Sequence, residues 1–361
     1  MNKRCRFFAI VFLSCFCFFG NTFLSQAQDS TNVEEVEEFE EFSMDGFEEA
    51  DDTVIKKFCN NKINNLNPTT LVGLSYDIIT PHDFKTSNTE DDNVEYEYSS
   101  KSKLNHGIRL DTNFPLISKS NIIFNATFSY WESRYQFDDV NPRQRLASSL
   151  SEYPLRTATL GILAFKPLDE KHFLILQLAS SLNGNYNFDD IKPDFSKMKY
   201  SASLLYGWKF SDDQNLAIGI SRTYRGGRLL HVPIIMWNKT FSPKWGVELL
   251  LPARGSLRYN FSAKSTLNFG CELEGQSYLM QNATNGTDFF ATNEYELSKS
   301  EIRPRIELNK ALTSFIRLNL QVGIRATYRF DLAQDTTSDQ INVNNIGIPA
   351  YFRIGLNFVS P

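Results

Sequence analysis

Chemistry has few places to reside in this 361-residue sequence. Its four histidines are His82, His106, His172 and His231. A hydrolase sets such a ring beside a nucleophilic serine or a carboxylate, because the ring must exchange a proton with an atom within hydrogen-bond reach. Alternation puts His106 and His172 on apolar faces and turns only His231 towards a polar one. His82 falls in a link, near Asp77 and Asp83. None of these positions carries a recognisable hydrolase spacing, so non-catalytic rim and surface histidines are expected. Cys5, Cys15 and Cys17 crowd into the first apolar stretch, which leaves Cys59 and Cys271. Two distant thiols make neither a disulfide framework nor a metal site. The sequence also lacks a phosphate-cradling glycine loop and an HExxH pair. No catalytic residue, cofactor or metal is expected.

The one remaining constellation is electrostatic. Parity places Arg254, Arg258, Arg303, Arg305, Arg317, Arg325, Arg329 and Arg353 on one face. Glu248, Glu272, Glu274, Glu301, Glu307 and Asp331 share that face. Lining a pore, such arginines favour anionic solutes. Paired across strands, the same charges form a ladder that sets register and fills the interior. Both readings stand at this point, and the small excess of base allows only a weak anion preference.

The elements that must carry these residues are strands. After residue 69 the dominant signal is a period of two, clearest from Phe315 to Leu332. There Ile316, Leu318, Leu320, Val322, Ile324, Ala326, Tyr328 and Phe330 alternate with Arg317, Asn319, Gln321, Arg325 and Arg329. Successive strand side chains point to opposite faces, so this is a long two-faced strand. A soluble β-sandwich generally uses shorter ones. Long strands, apolar on one face and charged on the other, describe a membrane barrel, the only sheet that satisfies every backbone group in lipid. The expected fold is all-β: a transmembrane antiparallel barrel of about 14 strands, with 12 as the alternative count. The segments are 70–79, 94–114, 121–134, 155–165, 172–184, 199–210, 215–225, 228–241, 245–252, 254–262, 266–280, 295–309, 315–332 and 350–359. Their links are short after every second strand and longer after most of the others. That asymmetry assigns the short turns, and both chain ends, to the periplasm.

Charge and composition divide the rest. Lys3, Arg4, Arg6, the apolar run Phe7–Phe19 and Ser25-Gln26-Ala27 read as a signal peptide over 1–27. Residues 29–52 contain twelve acids and no base, so 28–68 is expected to be a mostly disordered acidic segment. The remainder, 69–361, is mildly basic but lacks the dense Lys/Arg stripe of a nucleic-acid binder. Aromatics make up 14% of the chain, and their placement suggests two interfacial girdles. Phe114, Phe165, Phe210, Phe241, Trp245, Phe261, Phe315 and Phe358 lie towards one end, and tyrosines such as Tyr130, Tyr278, Tyr295 and Tyr328 towards the other.

The last strand ends Arg353-Ile354-Gly355-Leu356-Asn357-Phe358. Gly355, Leu356 and Phe358 resemble the C-terminal assembly signal of outer-membrane barrels. Together with Leu251-Pro252-Ala253-Arg254-Gly255-Ser256-Leu257-Arg258, this gives residues 69–361 the look of an uncharacterised outer-membrane barrel family of Gram-negative bacteria. The resemblance implies the outer membrane, its lipid and its assembly machinery as partners. It implies no activity. The expected role is a porin-like channel with weak anion preference. The alternatives are a structural or surface-interaction barrel filled by ion pairs, and a transporter of hydrophobic compounds hatched by residues 53–68. A barrel hydrolase ranks last.

Overall fold

The computed structural model describes residues 58–60, 62–88, 98–141, 144–186, 197–225, 228–280, 295–334 and 340–360. The expected signal peptide and almost all of the acidic segment lie outside the described residues.

The chain forms a closed antiparallel barrel of 14 strands. They are β1 (Thr70–Ile79 and His82–Asn88), β2 (Tyr98–Ser102 and Asn105–Lys119), β3 (Ile122–Arg134 and Phe137–Asp138) and β4 (Leu155–Pro167). Then come β5 (His172–Gly184), β6 (Lys199–Ser211), β7 (Gln214–Arg225), β8 (Arg228–Thr240) and β9 (Trp245–Leu251). The last are β10 (Arg254–Ser262), β11 (Ser265–Met280), β12 (Tyr295–Ala311), β13 (Ile316–Ile324 and Ala326–Gln334) and β14 (Gln340–Ile346 and Ala350–Val359). Each strand pairs with its chain neighbour, and β1 pairs with β14 through Ser75↔Gly355 and Asp77↔Arg353. Closure leaves no edge with unpaired N–H and C=O groups.

Alternation explains which face is which. Leu160, Leu204, Phe210, Ile218, Ile220, Val322, Ile354 and Leu356 stand exposed on the outer face. A soluble protein rarely exposes an apolar surface this extensive, and lipid is the solvent that removes its cost. No helix among the described residues is long and apolar enough to cross a membrane, so the strands carry that surface. Phe114, Phe210, Phe241, Trp245, Phe261, Phe315 and Phe358 are exposed near the turn end, where the links are short. Phe165 is the exception: it is buried and points inward. On the loop side Tyr328 is exposed, whereas Tyr278 and Tyr295 are buried inside, so the expected second girdle is only partly there.

One irregularity reverses parity. The β12–β13 register shifts between Ser300 and Glu301, pairing Ser300 with Arg329 and Glu301 with Thr327. A bulge of this kind adds one residue and flips the faces beyond it. Phe330 therefore enters the interior and Arg329 leaves it. The expectation that Arg329 and Asp331 face the lumen is corrected on this ground.

A short helix, α1 (Arg145–Glu152), interrupts the β3–β4 link. It buries Leu146, Ala147 and Leu150 on one side, and the chain leaves it at Tyr153, before Pro154. A residue preceding proline disfavours helical backbone, which ends the helix there.

Candidate functional site

The lumen is where the polar side chains converge. Its charged wall begins at Asp77 on β1, which accepts from Arg353 Nε at 2.5 Å and Nη2 at 2.8 Å. Arg325 Nη2 of β13 reaches the same carboxylate at 3.2 Å. On β12, Glu301 accepts from Arg303 Nε at 2.5 Å and lies 3.7 Å from Lys299 Nζ. Arg303 also pairs with Glu274 of β11, and Arg109 of β2 approaches that glutamate at 3.7 Å from across the lumen. Arg305 pairs with Glu272 and, at 3.4 Å, with Glu307. Arg258 meets Glu248 at 3.1 Å and Thr240 Oγ1 at 2.7 Å. Trp131 of β3 lies beneath Arg109, Lys299 and Arg303, at 4.7, 5.4 and 5.5 Å from its ring centre. Side chains of β2–β3 and β11–β12 thus bridge the interior.

Arg258 and Arg303 are among the most deeply buried side chains of the protein. Charges removed from water this fully persist only with partners. A small void of about 10 Å³, where His82, Lys299, Glu301 and Arg325 meet the apolar Ile79 and Ile346, has room for about one water. Among the described residues, two inward arginines make no ion pair. Arg317 donates to Asn67 Oδ1 at 2.8 Å and to the Ala263 carbonyl, and Arg254 is exposed at the loop end of β10. Arg329 meets Asp331 at 3.2 Å on the outer face.

The opposite wall, β4 to β8, is different. Thr157, Thr159, Gly161, Ala179, Ser181, Ser201, Ser203, Gly219 and Ser221 face in, without a charge between them. Gln177 lies between the outward Leu176 and Leu178, yet it is itself exposed, so open space borders it inside the barrel. This neutral wall was not anticipated, because short polar residues announce no chemistry.

Three of the four histidines lie apart from the charged wall, and His82 borders its void. His106 stacks on Tyr76 and His172 on Tyr206, both outward tyrosines. His231 pairs in register with Arg222 on the outer face, which corrects its expected inward direction. His82 Nδ1 lies 2.9 Å from the Thr80 carbonyl. Among the described residues no His/Cys/Asp/Glu group could hold a metal.

Both mouths are narrowed. At the loop end Phe84, Tyr135, Leu146, Leu150, Tyr278, Met280, Leu297, Phe330 and Leu332 form an apolar cluster. The β11–β12 hairpin reaches over the opening: Leu279 pairs with Gly184 of β5, and Glu296 meets Lys199 of β6 at 2.9 Å. At the turn end, residues 58–60 and 62–67 run along the rim. Cys59 N donates to Asp169 O at 2.9 Å, and Asn64 N to Asp212 O at 2.8 Å. Lys209 Nζ reaches Asn60 Oδ1 at 2.5 Å, Thr240 Oγ1 reaches Asn64 O at 2.7 Å, and Asn260 Nδ2 reaches Asn65 O at 3.4 Å. Cys59 packs among Phe165, Phe173, Leu205 and Ala217, where burial pushes its thiol pKa up. Residues 58–60 and 62–67 are thus fixed to the strand ends. Asp169 anchors the first clip. Backbone N–H groups of Lys171 and His172 and the His172 ring hold the Asp169 carboxyl down at about 2.

A Cβ on Gly207 would collide with the Phe173 ring beneath Cys59. Gly207→Val is expected to cost about 1–3 kcal/mol, as overpacking does. Lower thermal stability in detergent, with the barrel still heat-modifiable on gels, checks it.

A family model described as Domain of unknown function (DUF6268) matches residues 74–359. No curated protein matches the sequence. Similar solved structures include the KdgM porin in complex with disordered oligogalacturonate, at 10% identity and TM-score 0.30, covering 80% of this chain and 99% of that one. The NanC porin is similar at 10% identity and TM-score 0.32, covering 79% and 100%. The toluene transporter TodX of P. putida is similar at 9% identity and TM-score 0.35, covering 82% and 92%. These are likenesses among barrels and say nothing about the solute.

Proposed function

Since the chain belongs to the family described as Domain of unknown function (DUF6268), we propose from its geometry that it is an outer-membrane channel for small polar solutes. Its short turns and both chain ends face the periplasm, and its lipid and assembly partners are those of that membrane. The observation that carries this reading is the two-sided lumen. One wall neutralises its own charges and is packed, while the middle of β4–β8, between Lys199 at the loop end and Lys209 at the turn end, is lined by short uncharged side chains and is open beside Gln177. Solute passes along the second wall and is not held by the first. Arg254 and Arg317, at opposite ends, supply a weak anion preference, which salt screens within about 8 Å at physiological ionic strength.

Planar-bilayer recording under a salt gradient tests this. Small, weakly anion-selective conductance is expected, and Arg254→Gln with Arg317→Gln should bring the reversal potential towards zero. A cation-selective reversal potential refutes the assignment of the excess charge. The second reading, a structural barrel, is favoured by the loop-end cluster, and complete absence of conductance would establish it over a channel.

A further inference from the structure

The outer face carries a second pattern at the turn end. Lys119 pairs in register with Ile122, whose neighbour Ile123 packs inside, so Lys119 faces out. Lys166 follows the inward Phe165, Lys239 lies between the inward Asn238 and Thr240, and Lys310 follows the inward Asn309. These lysines stand on β2, β4, β8 and β12, and Lys171, Lys244 and Lys264 lie exposed in turns at the same end. None makes an ion pair among the described residues. Lys119, Lys239, Lys244, Lys264 and Lys310 each lie close in sequence to an apolar or aromatic residue exposed to lipid: Ile117, Phe241, Phe261 or Leu312. Lys239 Nζ lies 5.6 Å from the ring centre of Phe241.

A lysine over an aromatic belt keeps its stem in the apolar layer and its ammonium at the headgroups. The acids at this rim are mostly engaged. Asp169 is held by Lys171 and His172, Asp212 pairs with Lys209, and Asp213 accepts from Asn64. Asp169, Glu170, Asp212 and Asp213 are all exposed, and of these four only Glu170 is without a hydrogen-bond or ion-pair partner among the described residues. A ring of cations with so little compensating charge fits an anionic surface.

We infer that the turn-end rim binds the phosphates of anionic glycerophospholipids in the leaflet it faces. The inference rests on the barrel spanning a membrane and not on its lumen being open.

Native mass spectrometry of the full chain, exchanged into mixed phosphatidylcholine and phosphatidylglycerol micelles, measures which lipid is retained. Phosphatidylglycerol is expected to be enriched severalfold. Lys119→Gln, Lys166→Gln, Lys239→Gln and Lys310→Gln together should remove the enrichment, the four Lys→Arg changes should restore it, and Lys85→Gln with Lys101→Gln at the loop end should leave it. Heat-modifiable migration confirms that each variant is a barrel. Equal retention of both lipids by the wild type overturns the proposal. So does enrichment that survives the four Gln changes, or stronger retention of lipopolysaccharide than phosphatidylglycerol by the same lysines.

Discussion

Replacing Asp77 by Ala should weaken the barrel more than any other single change to the charged wall. Its carboxylate serves two guanidiniums, Arg353 of β14 and Arg325 of β13, and both are almost fully buried. Removing one member of a buried pair leaves an uncompensated charge and costs about 3–5 kcal/mol. Here two charges are stranded at the seam where the barrel closes. Equilibrium unfolding in urea with lipid vesicles reads the loss. Arg329→Ala is the matched control, because among the described residues that side chain pairs with Asp331 alone, on the outer face. A partly exposed pair contributes about 0–1 kcal/mol. Equal effects of the two changes would contradict the assignment of faces on β13.

The second large effect concerns conductance. Removing residues 28–67 should raise single-channel conductance severalfold over a chain lacking only residues 28–57. The retained stretch carries the clips to Asp169, Lys209, Asp212, Thr240, Asn260 and Arg317, and it buries Cys59 and Ile63 at the rim. Losing it widens the turn-end mouth and frees Arg317 from Asn67, so selectivity for anions should rise as well. Identical conductance from the two chains would place the narrowest point at the loop end, under Tyr278 and Leu297.

The strands could be read from the sequence because a barrel wall separates lipid from its interior at every residue. The expected segments match β1 to β14 in number, but the strands run beyond them at His82–Asn88 of β1, at 115–119 of β2 and at Gln340–Ile346 of β14. Reading the faces failed where that separation lapses. On β8, Leu229, Leu230, Val232, Ile234, Ile235 and Met236 offer apolar residues at both parities, since Ile234 and Met236 pack inside the apolar cluster at the turn end. His231 therefore had no contrast to reveal its direction. On β13 a single bulge displaced Arg329, and nothing in the alternation marks a bulge. Helix α1 is too short to show a periodic stripe, and its apolar face became visible only against Tyr278 and Phe84. The rim segment did carry a signal. Asn60, Asn64, Asn65 and Asn67 each offer a donor and an acceptor, which suits a segment bound edge-on to strand ends. Gly355, Leu356 and Phe358 occupy the seam: Gly355 lies against Ser75, and Leu356 and Phe358 face lipid.

The shared carboxylate of Asp77 also bears on how the ends of the chain find each other. Sliding β14 by two residues against β1 keeps every apolar side chain outside, so lipid cannot distinguish the slipped barrel from the true one. The same slip carries Arg353 about 7 Å along the strand, out of reach of Asp77. A misaligned closure then keeps its greasy exterior but leaves unmatched ions in its wall. Asp77, Arg325 and Arg353 thus act as a keyed lock, which admits one alignment of the first and last strands and leaves the others open to reversal.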